Sequence, residues 1–103
     1  MQAIVEDQKQ ELSRLCQKYD VELMYLFGSA TSIDDFKETS DIDILISFKP
    51  DISVEKYTDN YFDLHNELES LFGRKVDLIT ENSLSNPYFI KSITETRKLL
   101  YAA

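Results

Sequence analysis

A chain of 103 residues, 43% hydrophobic and 12% aromatic with two Gly and two Pro, has room for one domain spanning residues 1–103 and one core. Its formal net charge of −8 argues against long, sequence-independent binding to nucleic acid, which needs a Lys/Arg surface, but admits a nucleotide delivered with divalent cations or a basic protein partner. Cys16 is the only cysteine, which excludes an internal disulfide; with no basic leader and no apolar run of membrane-spanning length, the expected location is the cytoplasm.

Apolar residues at 4, 5, 12, 15, 16 and 19, set among Glu, Lys, Gln and Arg, predict one amphipathic helix from Ile4 to Tyr19. Cys16 lies on its apolar stripe and reads as a small buried hydrophobe, not a reactive thiol. Val21 to Phe27 is short, almost wholly apolar and ends at Gly28, as expected of a central strand covered on both faces. Residues 29–40 are polar and predict a short helical turn, then a loop through Asp34, Asp35, Lys37, Glu38 and Thr39. Asp41 to Phe48 alternates: Ile42, Ile44, Ile46 and Phe48 face one way, and Asp41, Asp43, Leu45 and Ser47 the other. Lys49-Pro50-Asp51 stops this second strand. Tyr61, Leu64, His65, Leu68, Leu71 and Phe72 form a helical stripe with Gly73 as its C-terminal cap. Lys75 to Thr80 is a third strand, Asn86-Pro87 caps and opens another helix, and Lys98 to Tyr101 is a short final strand. The fold class is α/β, a small mixed sheet packed against helices.

The second strand carries the chemistry. Residues two apart on a strand share a face, about 6.6 Å apart along the chain, so Asp41 and Asp43 project together and repel unless a cation lies between them. An isolated Asp-x-Asp is more often a polar strand end on a solvated face. Two neighbours change that weighing. Gly28-Ser29 follows a buried strand, where glycine lets backbone approach a phosphate and the Ser hydroxyl binds oxygens. Asp77 stands between Val76 and Leu78, a costly place for a carboxylate unless it is paired, metal-bound or at an exposed edge.

Leu26-Phe27-Gly28-Ser29, followed after eleven residues by Asp41-Ile42-Asp43, resembles the signature of the minimal nucleotidyltransferases of the polymerase-β-like superfamily. The similarity continues through Gly73-Arg74-Lys75-Val76-Asp77 and Asn86-Pro87-Tyr88, and so covers most of the chain. The resemblance implies a nucleotidyltransferase-like fold, with Gly28 and Ser29 holding the triphosphate of ATP. It also implies two Mg2+ ions on Asp41 and Asp43, with Asp77 completing the metal site beside the attacking hydroxyl. Small members of this family are commonly antitoxins that adenylylate a tyrosine of a HEPN-type toxin ribonuclease, which implies such a toxin as partner and a hetero-oligomer with it. The run Ala30-Thr31-Ser32-Ile33 departs from the Ala-Arg-Gly that many antitoxin members carry, and the spacer is one residue longer than the commonest form.

Other Asp-x-Asp chemistries fit less well. An EF-hand loop needs an oxygen ligand where Leu45 stands, and a phosphatase nucleophile follows its strand instead of preceding an apolar ladder. His65, four residues from Tyr61 on an apolar stripe, reads as a packed, hydrogen-bonded core histidine. Tyr57, Tyr61, Tyr88 and Tyr101 read as core or interface aromatics. Two rival functions remain open on sequence alone. One is a non-catalytic module that silences a partner by clamping it; the other is a nucleotidyltransferase acting on RNA ends or a small molecule.

Overall fold

The computed structural model describes residues 3–31 and 40–103, with Ser29 described by its backbone only. Helices α1 (Ala3–Glu6) and α2 (Lys9–Lys18) lead into β1 (Val21–Phe27) and a 3-10 turn, Gly28–Thr31. Strand β2 (Ile42–Phe48), helix α3 (Val54–Phe72), strand β3 (Val76–Thr80), helix α4 (Pro87–Thr96) and strand β4 (Lys98–Ala102) follow. The predicted turn after Gly28 is present; the loop through Asp34, Asp35, Lys37, Glu38 and Thr39 lies outside the described residues.

The sheet order is β3-β2-β1-β4. β1 runs antiparallel to both β2 and β4, whereas β2 and β3 are parallel, so the sheet is mixed. A parallel pair needs a crossover, and the 19 residues of α3 provide it. One face of the sheet presents Met24, Leu26, Ile42, Ile44, Ile46, Val76 and Leu78 to Leu12, Leu15, Cys16, Leu64 and Leu68 in a single buried cluster. The other face is covered over a smaller area, where Ile93 of α4 packs on Phe27 and Leu45. The central-strand expectation for β1 therefore holds: two neighbours flank it, with full cover on one face and partial cover on the other.

Boundaries differ from expectation at several points, including β3, which starts at Val76 instead of Lys75, and β4, which runs on to Ala102. The single helix from Ile4 to Tyr19 is two, because Gln8 N–H bonds to Val5 O, three residues back, and tightens the chain at Asp7-Gln8. Val5, Leu12, Leu15 and Cys16 still share the buried side. Helix α3 begins at Val54, well before the apolar stripe, with the Ser53 hydroxyl capping Lys56 N–H. Its first turns are mostly exposed, so no periodicity announces them. Asp41 lies just outside β2, which starts at Ile42.

Several local expectations are met. Gly73 takes the left-handed conformation and donates to Glu69 O, closing α3. Asn86 Oδ1 accepts from Tyr88 and Phe89 N–H, with Pro87 in the first turn of α4. Buried Asn60, unremarked in the sequence, donates to Tyr19 O and Asp20 Oδ2 and so ties α3 to the α2–β1 bend. Cys16 is fully buried beside Met24 Sδ at 3.8 Å, and burial pushes its thiol up to about 12. Cys16 is therefore expected to react with a disulfide reagent only as fast as the chain unfolds. Native-state labelling at a denaturant-independent rate would contradict this placement.

Candidate functional site

The register of three strands builds the site. Phe27 of β1 is the partner of Asp43 in β2, and Asp43 is the partner of Asp77 in β3. Paired residues share a face, so Phe27, Asp43 and Asp77 form one row across the sheet, on the face opposite the main core. Adjacent strands lie about 4.8 Å apart, which makes the two carboxylates neighbours although 34 positions separate them in the chain. Asp41, two residues before Asp43, stands on the same side at the strand's beginning. Backbone ties fix this corner: Ile42 N–H donates to Lys75 O, and the Arg74 guanidinium donates to Ser40 O at 3.1 Å.

Asp77 is exposed and lies on an edge strand. Its flanking apolar residues point to the core while its own side chain points away. The burial cost anticipated from Val76-Asp77-Leu78 is accordingly not incurred, and the edge position is enough to admit an acid in this strand. What the fold adds is the company Asp77 keeps. Burial first, then the charges of Asp77 and Asp41, push the Asp43 carboxyl up from 3.8 to about 6. The half-buried Asp43 is thus the group on which burial and the two neighbouring carboxylates bear together.

Gly28 has its reason here. It sits at φ +72, and a Cβ placed on it would lie 2.3 Å from Asp43 Oδ2. Any side chain at 28 would occupy the space of the Asp43 carboxylate, so the glycine and the acid are a matched pair. The turn that follows is closed by Thr31 Oγ1 donating to Gly28 O at 2.7 Å. Ala30 is fully buried beneath it, and Phe89 of α4 meets Phe27 edge to face at 6.1 Å. The phosphate-binding expectation for Ser29 concerns a side chain outside the described residues.

The donor set suits a hard divalent cation, being three carboxylates with Asp43 desolvated and repelled by its neighbours. Among the described residues no group of three His, Cys, Asp or Glu side chains is already arranged to hold an ion. The structure brings Asp41, Asp43 and Asp77 to one corner without closing them into a cage.

His65 is hydrogen-bonded as expected, its Nε2–H donating to Val76 O at 2.9 Å, but it is only partly buried and lies outside both core clusters. Tyr61, partly buried, donates to Leu78 O at 2.6 Å. Burial, then the charges of Asp77 and Tyr57, raise its phenol above the usual range, so it stays a donor. Tyr57 packs edge to face on Phe48, Tyr101 is partly buried against the core, and Tyr88 is exposed on α4. No helix among the described residues is long and apolar enough to cross a membrane.

Comparison with known proteins agrees with this geometry. Residues 10–103 match the family described as polymerase beta, nucleotidyltransferase. The chain is 49% identical over 81 residues to MJ1217 of Methanocaldococcus jannaschii, provisionally named a protein adenylyltransferase, covering 79% of this chain and 78% of that one. It superposes on a chain of a toxin–antitoxin crystal structure with AMP-PNP at a TM-score of 0.70 and 23% identity, covering 92% of this chain and 73% of the other. It also superposes on a chain of the tri-AMPylated Shewanella oneidensis HEPN toxin in complex with MNT antitoxin, at a TM-score of 0.66 and 21% identity, covering 96% and 73%. The family match over residues 10–103 and the relative at 49% identity agree: this chain belongs to the polymerase beta nucleotidyltransferase family.

Proposed function

We propose that this nucleotidyltransferase is an antitoxin that moves AMP from ATP to a tyrosine hydroxyl of a cognate HEPN-type toxin ribonuclease and thereby silences it. The observation that carries the reading is the in-register row of Asp43 and Asp77, with Asp41 on the same side and Gly28 against the Asp43 carboxylate. The adenylyltransferase name of a relative at 49% identity supports the reaction class, and the HEPN toxin–MNT antitoxin complex supports the partner.

Asp41 and Asp43 would hold the metal ions, with Asp77 completing the site on the side of the acceptor hydroxyl. Two Mg2+ ions bound there supply Lewis acidity, lowering the charge on the triphosphate and the pKa of the acceptor hydroxyl. Gly28 and Ser29 open the turn that receives the phosphates, where backbone N–H groups can donate to anionic oxygen. The acceptor oxygen forms its bond to the α-phosphorus as the bond to the bridging oxygen breaks. That electron pair leaves with pyrophosphate, and the hydroxyl proton passes to a carboxylate, assigned here to Asp77. Phe27 borders the row on the other side and gives it an apolar wall.

The test is incubation of the purified chain with labelled ATP, Mg2+ and the protein encoded beside it. Label on a partner tyrosine, dependent on Mg2+ and accompanied by loss of ribonuclease activity, is the expected result. Inhibition without label would replace the enzyme with a clamp. Label on RNA or a small molecule instead would move the assignment to another acceptor.

A further inference from the structure

Asp77 lies on an edge strand, where among the described residues no neighbouring strand holds one side of the backbone. Three side chains of α3 take that neighbour's place. Tyr61 Oη–H donates to Leu78 O at 2.6 Å, and His65 Nε2–H donates to Val76 O at 2.9 Å. Glu69 Oε2 accepts from Val76 N–H at 3.0 Å. Tyr61, His65 and Glu69 are spaced i, i+4, i+8, so they line one face of the helix, above one another. The backbone groups they grip, two carbonyls and one N–H, belong to the residues directly before and directly after Asp77. A cleft of about 380 Å3, lined by Tyr57, Tyr61, Phe62, Leu78 and Thr80 among others, opens between α3 and the later part of β3, and here a phenol reaches the strand.

We infer that Tyr61 and His65 are positioning residues for the transfer reaction: by clamping the backbone on both sides of Asp77 they hold its carboxylate beside Asp43. The inference rests on the reading of Asp77 as part of the metal site. A strand fixed by a full ladder needs no such clamp, but β3 is five residues long and bonded on one side only. Without the two donors it is free to twist or slide by fractions of an ångström, and Asp77 moves with it. Core packing through Val76 and Leu78 would survive this, because both are buried against the same cluster as Ile44. The clamp therefore serves the direction of the acid more than the existence of the strand. His65 is also fixed by it in the tautomer that carries hydrogen on Nε2, with Glu69 Oε2 3.6 Å from that atom.

The experiment uses Mn2+ as a probe of the metal site in the ATP-free protein, followed by titration calorimetry or by the spin signal of free Mn2+. Tyr61→Phe removes only the hydroxyl, His65→Leu removes the donor, and His65→Gln keeps an amide N–H at similar reach. The double variant Y61F/H65L is expected to weaken Mn2+ binding about 10- to 100-fold, the range typical when groups supporting metal ligands are lost. H65Q should stay within about twofold of wild type, and Y61F alone, whose ring remains packed, serves if the double variant unfolds. At saturating Mg2+, transfer by Y61F is expected to lose kcat with little change in KM for ATP. D77N separates the two levels of the argument. If D77N weakens Mn2+ binding and the clamp variants do not, the clamp is refuted and the metal reading stands. If D77N also binds Mn2+ normally, the metal reading of Asp77 falls and the clamp with it.

Discussion

Asp43→Asn is expected to lower AMP transfer at least about 100-fold and, in the metal-free protein at neutral pH, to raise the melting temperature. Both effects come from one cause. Burial, with the charges of Asp77 and Asp41, raises the Asp43 carboxyl from 3.8 to about 6 in the folded chain. A raised carboxyl means that the folded state binds the proton more tightly than the unfolded state does. The stability linked to that proton is complete below about pH 4, declines as pH rises, and is lost once pH passes about 6. At neutral pH the ionised Asp43 is a net burden on the empty protein. The shift, discounted because Asp43 is only partly buried, corresponds to roughly 1–2 kcal/mol. The amide has the same shape without the charge, so the gain should amount to roughly 5 °C near pH 7.5 in EDTA and vanish by pH 4. Adding Mg2+ should raise the wild-type melting temperature and leave D43N unmoved. A variant less stable than wild type throughout the range from pH 4 to 8 would contradict the crowding of charge at this corner. One with near-normal transfer would remove Asp43 from the chemistry.

Gly28→Ala should be the other severe change. At φ +72 an alanine is strained, worth about 1–3 kcal/mol, and its Cβ would stand 2.3 Å from Asp43 Oδ2. The carboxylate must turn away, and displacement of a reacting group by about 1 Å can cost 100-fold in rate. Transfer is therefore expected to fall about 100-fold or more, beyond anything the loss of stability explains. Gly73→Ala supplies the comparison. Gly73 has nearly the same backbone, φ +63, but nothing lies within 4 Å of a Cβ there. G73A should lose comparable stability and keep its activity. Equal losses of activity in the two variants would show that backbone strain, and not the contact with Asp43, is what glycine at 28 relieves.

These two changes also mark the limits of local information. The alternation of Ile42, Ile44, Ile46 and Phe48 against Asp41 and Asp43 is a property of the strand repeat, so the side to which the acid pair points could be read directly. The same is true of Asn86-Pro87 as a helix start, Gly73 as a cap and Cys16 as a buried thiol, because each depends on its neighbours in the chain. The α1–α2 break was not legible: Val5 and Leu12 remain on one face across it, and the tightening at Gln8 leaves no mark on the apolar pattern. Nor was the start of α3, whose first turns face solvent. The clamp on β3 left only a faint trace, the polar groups of Tyr61, His65 and Glu69 at helical spacing.

By itself the sequence determined which residues are acids on a common strand face, where a glycine turn follows a strand, and to which family the pattern belongs. Only the tertiary structure decided that β3 pairs in parallel with β2 in the one register that sets Asp77 beside Asp43. It also decided that β3 is an edge, which removes the burial argument for Asp77 and replaces it with proximity. And it showed that Gly28 is demanded by the Asp43 carboxylate as well as by the turn. The reason is physical: helix repeat, capping and side-chain alternation act over a few residues, whereas strand order, register and the collision of a Cβ with a distant carboxylate exist only once the chain has closed on itself.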